Sequence, residues 1–280
     1  MIPCYDLRIL QGDSMRACLI AIAVLGCCAL VFGEGPQARA AAATEAPAAT
    51  AASSTNSASP PAIVIGFVGG YVSHNNLSHM EAHLAAQIRA AYPAGVHAAA
   101  FENHRRNAAY AAILRLLDTN HDGTLSNQEK ENARIILYGH SWGASEAVTL
   151  ARQLQKENIP VLLTVQVDSV EKRHENDAVI PANVKEAANF YQPEGWLHGQ
   201  SHIRAADPQR TKILGNFRFD YTKHPVDCYA AYPWWDRHLA TAHTEIECDP
   251  AVWDRVEALI EAQLPPTASA TTATAPQPNP

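Results

Sequence analysis

Two rhythms of apolar and polar positions share the chain. Ala62-Ile-Val-Ile-Gly-Phe-Val68 is an unbroken apolar run rich in β-branched residues, which predicts a strand buried on both faces. It ends in Gly69-Gly70-Tyr71. A helix is then expected from Ser78 to about Tyr92, with Ser78 as its cap and Glu81 as capping-box partner. Pro93-Ala-Gly95 stops it. Val96 to Phe101 predicts a second strand, and Asn107 to Leu117, apolar at Ala111, Ile113, Leu114 and Leu117, a second helix. Strands are expected over 134–138 and 161–167, with a helix over 143–157 between them, and again at Ala187-Ala-Asn-Phe-Tyr191. Between Gln192 and Asp249 the periodicity lapses. Ile213 to Tyr221 reads as a last strand and Val252 to Leu264 as a closing helix. Strands alternating with helices predict an α/β fold, a mostly parallel sheet flanked by helices.

Both ends of the chain stand apart from this pattern. Met15-Arg16 precedes an apolar stretch from Ala17 to Phe32, and small residues lead on to Ala38-Arg39-Ala40. This is the order of a secretory signal peptide, over residues 1–40 with a possible true start at Met15. Val24-Leu-Gly-Cys27 offers lipoprotein processing as an alternative. The apolar run is too short for a permanent membrane span. Residues 41–60 are a linker of Ala, Ser, Thr and Pro with little to bury, and 265–280 form a tail of the same kind. One domain over 61–264 remains. With a net charge of −7 and no basic run, nucleic acid is not an expected partner. Export also bears on the cysteines. Only Cys228 and Cys248 lie outside the expected leader, and an oxidising compartment would pair them, with two unbridged thiols as the alternative.

The chemistry concentrates at Ile135-Ile-Leu-Tyr-Gly139-His-Ser141-Trp-Gly143-Ala-Ser145. A buried strand runs into a G-x-S-x-G pentapeptide, and an amphipathic helix follows at once. That context makes the motif a nucleophile elbow. A turn this tight puts the serine in a strained conformation, and side chains at 139 and 143 would collide with the neighbouring strand and helix. Ser141 would then stand at a helix N-terminus, where unsatisfied backbone N–H groups favour developing negative charge.

On these residues the chain resembles the α/β-hydrolase superfamily, in its compact lipase, esterase and thioesterase-like form. The resemblance covers most of 61–264 and implies a serine hydrolase acting on a small-molecule carboxylic ester or thioester. It implies the chain order Ser, acid, His. Asp168, at the carboxyl end of the 161–167 strand, is the expected acid, with Asp177, Asp220 and Asp227 as alternatives. His243 is expected on a loop before the final helix, with His238 and His224 as competitors. A Cys228–Cys248 bridge would tether that loop. The oxyanion donors are expected from Trp142 and from the Gly69-Gly70-Tyr71 turn, although the superfamily's His-Gly-Gly-Gly pattern is replaced here by Phe67-Val-Gly-Gly. A peptidase or amidase of the same fold is the alternative chemistry. A non-catalytic, calcium-stabilised binding module is the alternative outside enzymes.

Two further features are legible. Asp118-Thr-Asn120-His-Asp122-Gly123-Thr124-Leu125-Ser126-Asn-Gln-Glu129 matches the twelve-residue EF-hand loop, with ligands from Asp118, Asn120, Asp122, Thr124, Ser126 and Glu129. Only a short helix can follow before the elbow strand, so the loop is closer to a single dockerin-type loop than to a sensor pair. The alternative is a metal-free Asx-rich turn. Ca²⁺ is the one cofactor expected, structural because the loop joins the start of the elbow strand, opposite the catalytic edge. His79-Met-Glu81-Ala-His83 has i, i+4 histidines, but its glutamate is displaced from the zincin position, so a solvated helix face is expected. Tyr229, Tyr232, Trp234 and Trp235 would line an apolar pocket or a lid, or simply pack.

Overall fold

The computed structural model describes residues 60–227, 232, 238 and 240–266. The expected leader, nearly all of both terminal segments, Cys228, and the aromatic residues Tyr229, Trp234 and Trp235 lie outside them. The described elements are β1 (Ala62–Val68), α1 (Met80–Ala91), β2 (Val96–Glu102), α2 (Arg106–Leu117), α3 (Asn127–Glu131), β3 (Arg134–His140), α4 (Trp142–Lys156) and β4 (Val161–Val167). They continue with β5 (Val179–Ile180), β6 (Val184–Tyr191), β7 (Arg204–Ala205), β8 (Lys212–Arg218), α5 (Thr241–Cys248) and α6 (Pro250–Glu261).

A six-stranded sheet has the order β2-β1-β3-β4-β6-β8, and every pairing in it is parallel. Successive side chains of a strand point to opposite faces, and β1 shows the consequence. Ala62 and Val64 pack with Leu84 and Ile88 of α1 and with Val252, Val256 and Ile260 of α6. Ile63, Ile65 and Phe67 pack with Ile113 and Leu117 of α2 and with Val148, Leu150 and Leu154 of α4. Helices therefore cover both faces, as a sheet of continuous apolar strands requires. The architecture is the α/β-hydrolase fold. Among the described residues, no helix is long and apolar enough to cross a membrane.

Strand order reverses between β1 and β3, and in an open parallel sheet the crevice at such a switch point, beyond the carboxyl ends, is where ligands bind. Register brings the chemistry there. Phe67 pairs with Gly139, and His140 pairs with Val167. The residues immediately beyond, Ser141 on β3 and Asp168 on β4, thus emerge side by side on one edge.

Two local expectations are corrected. Helix α1 starts at Met80 with His79 as N-cap and no side-chain cap. Glu81 turns inward instead of closing a capping box, because its carboxylate has a partner across the sheet edge. The capping box occurs at α3, where the Ser126 side chain accepts from the Glu129 N–H and the Glu129 side chain accepts from the Ser126 N–H.

Candidate active site

Ser141 occupies the step between β3 and α4 with φ 55° and ψ −126°. For a residue with a side chain this region costs about 1–3 kcal/mol and persists only where the surroundings enforce it. Here the surroundings are backbone. A Cβ on Gly139 would lie 2.5 Å from the Gly143 carbonyl carbon, and one on Gly143 would lie 2.1 Å from the Phe67 carbonyl oxygen. Ser141 N–H donates to the Val167 carbonyl at 3.0 Å, and its own carbonyl accepts from Val170 N–H at 3.2 Å. The elbow is thereby stitched to the end of β4.

Asp168 is completely buried and, like Ser141, has a positive φ, 43°. Its Oδ2 is 2.6 Å from Nδ1 of His243 and accepts from Gln192 Nε2 at 2.8 Å. Its Oδ1 accepts from the N–H groups of Gly199 at 2.9 Å and Gln192 at 3.3 Å. Four donors hold the carboxylate, which leaves little freedom to the imidazole it orients. Gly199 reaches it only for want of a side chain, since a Cβ there would lie 2.1 Å from the Asp168 carbonyl carbon. The alternative acids and bases are placed elsewhere. Asp177 is buried against Ser169 Oγ at 2.5 Å, Asp220 is held by Thr222 and Lys223, and Asp227, His224 and His238 are exposed.

His243 lies in the first turn of α5 and not on a loop. Its ring packs on that of His140, centroids 4.5 Å apart, and its carbonyl is 3.2 Å from His140 Nε2. The expected acid and base are therefore brought together. The Ser141 hydroxyl makes no hydrogen bond to His243, and catalytic hydrogen bonds of this type commonly tighten only with substrate in place.

The turn after β1 is held from two sides. Asn103 Nδ2 donates to the carbonyls of Val68 at 3.2 Å and Gly70 at 2.5 Å. Gly69 N–H donates to Glu81 Oε1 at 3.1 Å. This corrects one expected oxyanion donor: the Gly69 amide is already committed. Gly70, with φ 46°, and Tyr71 retain theirs, and Trp142, first residue of α4, has an N–H without an intrahelical acceptor. The Tyr71 ring meets Trp142 edge-on at 5.7 Å. The pair lines a cleft of about 620 Å³ together with His104, Lys172 and Arg173.

Sequence reasoning missed the cluster behind this machinery. His79, Glu81, His140 and Glu247 are all buried beside His243; the solvated face expected for His79 and His83 is wrong at His79, whose ring pairs with Glu247 of α5, while His83 is half-buried. His79 Nδ1 pairs with Glu247 Oε1, and His140 Nδ1 is 3.5 Å from Glu247 Oε2. Burial drives the Glu81 carboxyl up to about 8, with the nearby Glu247 charge adding to the push. Burial also lowers His140 to about 4. For Glu247 burial again pushes upward, but the imidazoles of His140 and His79 outweigh it and hold the group below the usual carboxylate range. The only sequence hint is His79 and Glu81 two positions apart. Glu247 is far along the chain, and nothing local announces it.

At the opposite edge, the loop 118–129 joins α2 to α3 and the start of β3. Asp118 accepts from the N–H groups of Asp122 and Gly123, and Asp122 from Thr124. His121 and Gly123 have positive φ. The Glu129 oxygens accept from Thr119 and Ser126, and these bonds, those of Ser126 foremost, hold its carboxyl down at about 2.

No protein-family model matches the chain. No curated protein matches it in sequence. Solved structures similar to it include a cutinase-like protein from Cryptococcus sp., 16% identical over 76% of this chain and 98% of that one, with a TM-score of 0.37. A thermostable esterase from Pseudomonas putida is 10% identical over 76% of this chain and 77% of that one, TM-score 0.39. A thioesterase from the prodiginine pathway of Streptomyces coelicolor is 13% identical over 68% and 88%, TM-score 0.33.

The elbow geometry makes a direct prediction. Gly143→Ala must displace the end of β1 or the elbow itself, and should cost about 2–3 kcal/mol, read as a lower urea midpoint. An unchanged midpoint would mean the turn is looser than its contacts imply.

Proposed function

We propose that the protein is an exported serine hydrolase that cleaves a carboxylic ester or thioester through an acyl-enzyme on Ser141. The observation that carries this reading is the strained serine at φ 55° standing in register beside a buried Asp168–His243 pair. Strain of this kind, enforced by the close packing of the turn, holds a serine at the strand-to-helix step, where a nucleophile elbow places its hydroxyl. Ser141 Oγ attacks the acyl carbonyl as its proton passes to Nε2 of His243, and the positive imidazole is held by Asp168. The carbonyl oxygen becomes an oxyanion facing the Trp142 N–H and the amide of Gly70 or Tyr71. Collapse of the tetrahedral species expels the alcohol or thiol, which takes the proton from His243. Water, deprotonated by the same imidazole, then releases the acid and regenerates Ser141. The Tyr71–Trp142 wall favours an apolar group on the substrate.

A second reading, a binding module that kept the hydrolase shape, draws on the lack of a Ser141–His243 hydrogen bond. A fluorophosphonate probe separates the two. Wild type should be labelled, Ser141→Ala should not, and Asp168→Asn should turn over a p-nitrophenyl ester about 10³–10⁴-fold more slowly. Wild type that resists the probe would favour the binding module.

We also propose that the loop 118–129 binds a structural Ca²⁺, supported by its EF-hand spacing and by the bond from the Gly123 N–H to the first aspartate. Asp118, Asn120, Asp122, the Thr124 carbonyl, Ser126 through water, and Glu129 would hold it once Glu129 swings from its capping position. Export would supply calcium, and would also allow Cys248 to bridge to Cys228. Calcium at about a hundred times its dissociation constant should stabilise the fold by about 2.7 kcal/mol, and Asp118→Ala should abolish the rise in melting temperature. A wild-type melting temperature indifferent to calcium would remove the ion from this reading.

A further inference from the structure

Two buried polar atoms of the cluster behind His243 lack hydrogen-bond partners. Glu81 is wholly buried, and its Oε1 accepts from Gly69 N–H, but its Oε2 has no hydrogen-bond partner. His140 is 3% exposed; its Nε2 faces the His243 carbonyl and so carries the proton. That assigns Nδ1 a lone pair, and Nδ1 has no hydrogen-bond partner either. It faces Glu247 Oε2 at 3.5 Å, lone pair towards lone pair. Orphaned acceptors at this depth cost about 1–3 kcal/mol each, more when charged, so something positive belongs between them.

We propose that His79, Glu81 and Glu247, with Nδ1 of His140 as a fourth donor, bind one divalent transition-metal ion. Ligand atoms of the first three residues all lie within 4.8 Å of one another. Donors of a tetrahedral zinc shell stand about 3.4 Å apart, so the three side chains must close by up to about 1.4 Å, and Nδ1 of His140, 3.5 Å from Glu247 Oε2, must move in with them. Two imidazoles and two carboxylates neutralise a divalent charge and fill a tetrahedral shell. Imidazole nitrogen selects zinc and its neighbours over calcium and magnesium, which take oxygen ligands. The site is therefore distinct in chemistry, as well as in place, from the loop 118–129.

Its position indicates what the ion does. Glu81 leads into α1 and holds the Gly69 amide, so it sets the turn that presents Gly70 and Tyr71. Glu247 is one helical turn beyond His243 on α5, on the same face. An ion held by both would clamp the turn after β1 to the helix carrying the imidazole, as the His79–Glu247 pair already does across 168 positions of sequence. This is a positioning role, and binding does not depend on whether Ser141 is a live nucleophile.

The test uses the untagged full chain. After stripping with a chelator that prefers zinc to calcium, wild type titrated with Zn²⁺ should regain about one equivalent per chain by elemental analysis. Wild type loaded with Co²⁺ should show the intense visible bands of a tetrahedral site. Glu81→Gln and Glu247→Gln should lose most of the bound zinc and the cobalt bands while keeping their response to calcium. Folded wild type that takes up neither ion would show that protons alone fill the cluster and would overturn the proposal. Retention of zinc by both variants would overturn it too, by placing the ion on other side chains. Should either variant fail to fold, the wild-type cobalt spectrum decides.

Discussion

One close approach governs the catalytic edge. The helix that follows β3 starts so near to β1 that only hydrogen fits between the Gly143 α-carbon and the Phe67 carbonyl. That contact forces the chain to reverse within a single residue, and Ser141 absorbs the reversal in its positive φ. The strain is bearable because α4 buries Val148, Leu150 and Leu154 on the sheet, an apolar gain larger than the local cost. The serine is held proud of the sheet by packing on both sides of it, not by any interaction of its own side chain.

The same edge gathers polar groups that could not be buried singly. Asp168, just beyond β4, is supported by four donors: two from Gln192 beyond β6, one from the Gly199 loop and the His243 ring of α5. Glu81, Glu247, His79 and His140 form a second nest on the other side of His243. The two nests share His243: Asp168 orients its Nδ1, and His140 packs on its ring and faces its backbone carbonyl. Such a network fixes geometry only when all its members are satisfied. That is the physical interest of the unpartnered oxygen and nitrogen at Glu81 and His140.

The distribution of tasks along β3 follows from strand polarity. Its amino end receives the loop 118–129, whose carboxylates are turned on the loop's own amides. Its carboxyl end carries the elbow. The two ends are separated by the seven residues of the strand, so the loop and the elbow do not touch.

Much of this architecture is legible in the amino-acid sequence by itself. Seven-residue apolar strands and their partner helices announce themselves by periodicity, because burial on two faces demands continuous apolar runs. The elbow announces itself because two glycines flanking a serine satisfy a steric rule that is local. Asp168 follows from strand polarity, since parallel strands end on one edge. Tertiary structure alone decided everything that depends on packing between distant segments. It placed His243 inside a helix, turned Glu81 from a cap into a partner for Gly69, and so committed the Gly69 amide. It also buried His79, His140 and Glu247 in one nest. Periodicity reports which face of an element is apolar; it says nothing about which polar groups from remote segments will be sealed in together, because that depends on where Glu247 of α5 meets His79 at the start of α1.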